Sequence, residues 1–505
     1  MIYARYAPRS NHYGIKFNRL TTAYTINPAR HLSTTAYLHR NDATNSVDLR
    51  LGPPVQIQAT LKASAANRSW LPISQQNRKT IEIKHLSQQQ HQQPVTAVAS
   101  QKERLVILGS GWAGFKLLRE VDRSKYKVTI VSPRNYFVFT PLLASTSVGT
   151  IEFRCITEPI RRHADRSEFY QARCERIAKG NEFSLSYDKL VIAVGAHCST
   201  FGIPGVTEYA QFLKDVQDAQ AIRKRLIECY ENASQPGLSE QEIQAKLHFV
   251  VVGGGPTGIE FSGELYDFLS NDMARLYPEL VAKTRMSLYD VAPQILGSFD
   301  SQLSLYAHKK FDRKGIQIKT KRHVERVEPD HIVLRGEGKV PYGLLVWSTG
   351  LTQNPFVKSI TALAKDPKNQ RIITDNKLRV LTSQSETPIP NVYALGDCAT
   401  ILSHDLPATA QVATQKAAYL ARMLNQGEHK QEFMFRNRGT MAYIGSSEAL
   451  VDMSSIHRKA KNSGHLAWLL WRSAYLSMSM SMRNKMLILY HWFMTWSFGR
   501  DITRF

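Results

Sequence analysis

Apolar residues along this chain fall into short runs that switch between strand-like and helix-like spacing. Arg104-Leu105-Val106-Ile107-Leu108 is a β-rich apolar run, Phe115, Leu117, Leu118 and Val121 then follow a helical pattern, and Lys127-Val128-Thr129-Ile130-Val131 returns to a strand. Short continuous apolar runs bounded by turn residues read as strands buried on both faces, and strand–helix–strand alternation predicts a parallel sheet covered by helices. The pattern repeats at Leu247–Val252, in a helix from Ile259 to about Leu269, and at Met286-Ser287-Leu288-Tyr289. Further apolar runs at Val191–Val194, Leu345–Trp347 and Val392–Leu395 predict more strands, and a long helix is predicted from near Thr409. Two apolar segments close the pattern, Leu466–Met482 and Met486–Phe498; Ser477–Met482 alternates with period two, so the helical expectation is weakest there.

Both strand–helix junctions carry a glycine-rich turn. The first is Gly109-Ser110-Gly111-Trp112-Ala113-Gly114 and the second Gly253-Gly254-Gly255-Pro256-Thr257-Gly258, about 140 residues later. In such a turn the first glycine makes the bend, the second lets backbone approach a pyrophosphate, and the third lets helix and strand pack closely, leaving the phosphates on free N–H groups at the helix N-terminus. One such turn is weak evidence; two in correct context point to two bound dinucleotides. Asp290 ends the strand after the second turn, where a carboxylate can accept a hydrogen bond from a ribose 2′-hydroxyl and repel a 2′-phosphate. It lies 32 residues past Gly258, farther than the roughly 20 that is typical, which a longer helix through Asn271–Ala282 would explain. Ser132 holds the matching place in the first unit. Gly396-Asp397 ends another apolar strand, where a buried Asp suits a ribityl hydroxyl of FAD. Gly195 and Gly350 end two further strands and would let backbone cross close to a dinucleotide.

The chain has 505 residues, 43% of them hydrophobic, and a formal net charge of +23. That balance points to an anionic partner such as a membrane surface, an anionic cofactor or nucleic acid. No zinc-finger spacing, arginine-rich arm or RNA-binding signature is present, so nucleic acid is disfavoured. Five scattered cysteines, with no C-x-x-C pair, argue against a disulfide framework, a zinc site or a redox pair, and no metal site is expected. Residues 1–40 hold six Lys/Arg and no acid, the composition of a mitochondrial transit peptide, with an ordinary disordered extension as the alternative. Residues 85–100 are Gln-rich and read as a polar linker. Between 464 and 498 stand four tryptophans and five methionines, and between His457 and Phe505 eight Lys/Arg and one acid. The second apolar segment is short of the roughly 20 residues needed to span a bilayer, so the pair reads as a helical hairpin lying in one anionic leaflet, with Arg483, Lys485 and Arg500 snorkelling to phosphates. A buried helix pair or a dimer interface is the alternative.

The order G-x-G-x-x-G, A-V-G, G-G-G-P-T-G-I-E, S-T-G and G-D resembles the flavoproteins with two dinucleotide-binding domains. More narrowly, Ser132–Leu143, Gly253–Leu265, Ala410-Gln411-Val412-Ala413-Thr414-Gln415 and the aromatic C-terminus resemble the mitochondrial type II (alternative, rotenone-insensitive) NADH:quinone oxidoreductases, over about residues 103–505. The resemblance implies an α/β fold with two Rossmann-like domains, the NADH domain inserted in the FAD domain as in glutathione reductase, plus C-terminal membrane-anchoring helices. The divisions would be 1–100 transit peptide and linker, 101–213 and 341–430 FAD domain, 214–340 NADH domain, and 431–505 membrane-anchoring and dimerisation domain. FAD would contact Gly109, Ser110, Gly111, Trp112, Ala113, Gly114, Ser132, Pro133, Thr140, Pro141, Gly195, Gly396, Asp397 and Ala413. NADH would contact Gly253, Gly255, Pro256, Thr257, Gly258, Asp290 and Gly350. Glu260 would lie near the nicotinamide–flavin junction. Gln411 and Gln415, spaced i, i+4 on one helix face, would look onto the flavin and the quinone headgroup; without the resemblance they read as surface polar residues. The implied activity is hydride transfer from NADH to FAD, then two electrons to ubiquinone without proton pumping, by a homodimer peripheral to the mitochondrial inner membrane. No calcium-binding loop appears. Thr414 stands where many members have His. The rivals are a sulfide:quinone oxidoreductase, which needs reactive cysteines over the flavin, and a signalling flavoprotein in the manner of apoptosis-inducing factor.

Overall fold

The computed structural model describes residues 102–503 apart from 166, 176–180, 183–184, 428–430, 455–456 and 458–459, together with the backbone of 60–64, 78–80 and 83–85. The leader-like residues 1–40 and the glutamines of the 85–100 linker lie outside the described residues.

The first unit is built as its spacing predicts. Strand β1 (Glu103–Leu108) has its last four side chains at most 1% exposed, helix α1 (Trp112–Glu120) follows the first glycine turn, and β2 (Tyr126–Ser132), β3 (Glu168–Glu175) and β4 (Lys189–Ile192) complete a parallel sheet with β1 at its centre. Within the stretch expected to be only leader and linker, Thr60–Ser64 pairs antiparallel with β3, which satisfies backbone groups that an edge strand would leave open.

The second unit starts with α2 (Val216–Ala233), whose Asp215 and Asp218 form a reciprocal capping box. Strand β5 (His248–Val252), helix α3 (Pro256–Phe268), β6 (Arg285–Tyr289), β7 (Ile316–Lys319) and β8 (Leu344–Trp347) follow. Its sheet is wholly parallel, in the order Gln211–Phe212, β8, β5, β6, β7. The boundaries expected at 213/214 and 340/341 are therefore corrected: both 211–212 and 344–347 belong to the second sheet. The chain crosses between units at the antiparallel ribbon of Ala196–Cys198 with Leu351–Gln353. An apolar run looks the same in either sheet, so its hydrophobicity could not assign it. The longer helix expected over 271–282 exists in pieces: α3 passes into a π-helical turn at Leu269–Met273 and on through Ala274–Leu276, and Tyr277 breaks the path before Pro278–Val281. The insertion accounts for the wide Gly258–Asp290 spacing.

The first sheet resumes at β9 (Pro388–Ala394), parallel to β4, and helix α4 (Ala410–Gln426) follows, its Thr409 side chain accepting from the Val412 N–H at 3.3 Å. The C-terminal unit is a three-stranded antiparallel sheet of β10 (Thr440–Tyr443), β11 (Ala449–Asp452) and β12 (Lys461–Gly464), then helices α5 (His465–Met478) and α6 (Met482–Phe498). The helix breaks where period two interrupted the pattern: Ser479 is extended and Ser481 caps α6 through the Asn484 N–H. Each helix buries a narrow stripe, Ala467 and Trp471 on α5 and Asn484 and Ile488 on α6, and exposes an apolar one, including Leu466, Leu469, Met486, Phe493 and Trp496. No helix among the described residues is long and apolar enough to cross a membrane.

Candidate active site

The two glycine turns share the same local geometry. Gly109 (φ 106°) and Gly253 (φ 118°) both adopt the left-handed backbone that glycine favours. A Cβ on Gly111 or Gly255 would meet nothing within 4 Å, so both peptides face open space at a helix N-terminus. A Cβ on Gly114 would stand 1.9 Å from the Gly109 carbonyl oxygen, and one on Gly258 1.9 Å from that of Gly253. Bend, open face and tight packing thus recur in the same order, and both cradles fit a dinucleotide pyrophosphate.

Around the first cradle the side chains are cross-tied. Ser110 and Ser132 share a buried hydroxyl–hydroxyl hydrogen bond of 2.7 Å, and Trp112 Nε1 donates to Thr140 Oγ1 at 3.0 Å, joining α1 to the 3₁₀ turn begun by Thr140-Pro141. Pro133 turns the chain after β2, its carbonyl accepting from Gln171 Nε2 at 3.3 Å. Gly195 is left-handed with open space before it, and Gly396 lies between Ala113 and Ala413, whose Cβ atoms are 3.6 and 4.0 Å from where its own would be. Asp397 follows, with Lys214 Nζ at 3.6 Å. The small residues of α1, β9 and α4 thus converge on one face.

At the second cradle Asp290 Oδ2 accepts from the Gly254 N–H at 2.5 Å and Oδ1 from the Ala292 N–H at 2.7 Å. The carboxylate braces the turn and keeps lone pairs for a ribose hydroxyl. Pro256 and Thr257 open α3 with exposed side chains. A Cβ on Gly350 would strike the Phe201 ring at 2.5 Å, so on that side the residue packs against the Ser199–Phe201 loop.

Glu260 stands one turn into α3. Its Oε1 accepts from the Tyr443 N–H and from Trp471 Nε1, both at 3.3 Å, and loss of water pushes its carboxyl up to about 8. Trp471 stacks on Tyr443 with centroids 5.3 Å apart. Further along α3, burial also raises Glu264, which accepts from Ser145 and Thr150 at 2.6 Å each, and Asp267 takes the Tyr443 hydroxyl. Tyr443, Trp471, Glu264 and Asp267 were missed from sequence; acids at 260, 264 and 267 on one face of an otherwise apolar helix were the available signal.

Gln411 and Gln415 share a face of α4 as spaced, and both are bonded to backbone. Gln411 Oε1 accepts from the Arg438 N–H at 2.8 Å and its amide donates to the Gly439 carbonyl; Gln415 donates to the Arg436 carbonyl at 2.8 Å and accepts from its N–H at 3.0 Å. They tie the segment leading into β10. Lys416, beside them, is 1% exposed, and burial lowers its ammonium to about 8. Arg500, read from sequence as a snorkelling side chain, is instead 6% exposed and pairs with Asp272 at 2.7 Å and Glu264 at 3.7 Å; two buried carboxylates outcompete the surface for it.

A family model for pyridine nucleotide-disulphide oxidoreductases matches residues 103–417, and one for the NDH2 C-terminal domain matches 437–501. The chain is 42% identical to the internal alternative NAD(P)H-ubiquinone oxidoreductase A1, mitochondrial, of Solanum tuberosum, covering 80% of this chain and 89% of that one. The chain belongs to the alternative, type II NADH dehydrogenase family. A probable NADH dehydrogenase of Dictyostelium discoideum is 41% identical over 80% of this chain and 92% of its own length. Among solved structures, NDH2 from Plasmodium falciparum in complex with NADH superposes with a TM-score of 0.73 at 27% identity, covering 80% of this chain and all of that one. The type II fold expected from the resemblance, two dinucleotide-binding units with a C-terminal foot, is the fold observed.

Proposed function

We propose that this protein is a non-proton-pumping, FAD-dependent NADH:quinone oxidoreductase of the mitochondrial respiratory chain, taking a hydride from NADH and delivering two electrons to ubiquinone. The observation that carries the reading is the pair of glycine cradles with matching geometry, the second opening α3, which packs against the C-terminal unit with its exposed apolar faces. FAD, when bound, supplies the redox chemistry. The first cradle, with Ser132, Pro133, Thr140-Pro141, Gly195, Asp397 and Ala413, would hold it. The second cradle, with Pro256-Thr257 at the helix start and Asp290 at the ribose, would present NADH. Glu260 holds a proton near neutral pH, because burial pushes its pKa up to about 8, and lies where the α3 N-terminus meets the foot. Gln411 and Gln415 position the segment into β10 at the entrance for quinone.

The exposed stripes of α5 and α6 support a monotopic attachment to the inner membrane, with the foot also the surface on which a homodimer would form. No observation favours the sulfide-oxidising rival: burial pushes the Cys398 thiol up to about 11 and also raises Cys198, the opposite of an activated thiolate. The test is purified, FAD-loaded protein with NADH. NADH consumption that starts only on adding a quinone supports the reading; turnover without quinone, or none with it, overturns it. Asp290→Asn should raise the NADPH rate relative to the NADH rate, and equal rates with both nucleotides in the wild type would remove the role given to Asp290.

A further inference from the structure

Arg472 is the one charged residue in the middle of the apolar foot helix α5. Its guanidinium carbon lies 4.7 Å from the Trp468 ring centre and 3.9 Å from that of Trp492. Among the described residues no carboxylate pairs with it and no hydrogen bond engages it. The acid that acts on it through space, Glu264, is already held by Ser145, Thr150 and Arg500. Five N–H donors on a partly buried cation call for an acceptor. Two indoles flank the guanidinium and leave its N–H groups for hydrogen bonding, and a guanidinium fork can grip two oxygens of one phosphate.

Beside that edge runs a groove of about 370 Å³ between α5 and α6, walled by Leu476, Leu489, Trp492, Phe493 and Trp496. Its size is within the range of small-ligand sites, roughly 300–1,000 Å³. A cation at one end of an apolar trough matches an anionic head on a hydrocarbon chain. A free phosphate would use only the arginine, and a neutral quinone tail only the trough. The surroundings agree: from His457 to Phe505 there are eight Lys/Arg and one acid, which favours anionic lipid.

We propose that the α5–α6 groove is a binding site for one anionic phospholipid, with Arg472 on the phosphate and an acyl chain along Leu476, Leu489 and Phe493. The proposal rests on the foot reading given above. It makes the foot a site with a stoichiometry and a headgroup preference, rather than a merely greasy surface.

The experiment uses the detergent-solubilised holoenzyme titrated with phosphatidylglycerol. Native mass spectrometry counts bound lipid, and tryptophan quenching by a bromine-labelled acyl chain gives the affinity. The wild type should retain one phosphatidylglycerol, quenched at Trp492 and Trp496 and not displaced by inorganic phosphate. Arg472→Gln should weaken retention by about tenfold or more, the scale of a lost charge-assisted phosphate contact. Arg472→Lys should lose less, which guards against a misfolded Gln variant, and Lys339→Gln, on an exposed strand away from the foot, should bind as the wild type does. Equal retention by Arg472→Gln, or displacement by inorganic phosphate alone, overturns the proposal. Failure of the wild type to attach to phosphatidylcholine–phosphatidylglycerol vesicles would sink the foot reading itself; attachment with unchanged lipid retention in Arg472→Gln sinks only this one.

Discussion

At the residue scale, the paired glycines make separable predictions. Alanine at 114 or 258 places a methyl 1.9 Å from a carbonyl oxygen, so helix and strand must part, at about 1–3 kcal/mol for an overpacked contact. Gly114→Ala should lose flavin on purification, read from visible absorbance. Gly258→Ala should keep its flavin yet need far more NADH to bleach it. Glu260 carries a pH signature. Its pKa is raised on folding from 4.5 to about 8, so between those values the folded state holds a proton that the unfolded state has lost. Stability contributed at this site therefore falls as pH rises through that window and levels off above it. Glu260→Gln, which never ionises, should melt higher than the wild type near the upper end, and the difference should vanish near the lower; a constant difference across the range would remove the shift. The motif glycines were legible in the sequence because their chemistry is local. The packing of Phe201 against Gly350 was not legible, because the two are distant in sequence and no spacing rule connects them.

At the scale of elements, α3 does more than open on a nucleotide. Gly263, two turns in, packs so closely that a Cβ would stand 2.7 Å from the Gly445 N–H, bringing the turn after β10 against the helix. Helix α4 contributes its own tie through Gln411 and Gln415 to residues 436–439. Replacing both by Ala removes hydrogen bonds worth about 1 kcal/mol each. It should lower the unfolding midpoint and raise the quinone KM while leaving NADH-dependent bleaching intact. If the quinone KM stays unchanged, the tie is structural only. Periodicity placed the two glutamines on one face correctly but could not say that this face meets backbone. Strand β8 teaches the same lesson, since its apolar run was plain and its sheet membership was not. The interruption of α3 was visible only as an odd spacing to Asp290.

At the scale of the whole molecule, the exposed stripes of α5 and α6 predict reversible attachment to a bilayer. Aspartate at both Phe493 and Trp496, which are 57% and 81% exposed, should abolish co-flotation with vesicles, because charge in an apolar contact is costly. The same variant should still transfer electrons from NADH to a water-soluble acceptor. Attachment surviving those charges would move the lipid contact elsewhere on the chain. The foot is also bolted from beyond its last helix. Arg500 returns from the end of α6 to Asp272 and Glu264, and Gly499 fits where a Cβ would lie 2.7 Å from Asp272. A stop codon placed after Phe498 would strand two acids without their cation, costing about 3–5 kcal/mol, and should yield a polypeptide that melts early. For the experimenter, affinity tags and reporter fusions are thus best kept away from this terminus, since a handful of residues following the final helix act as the clasp of the assembly.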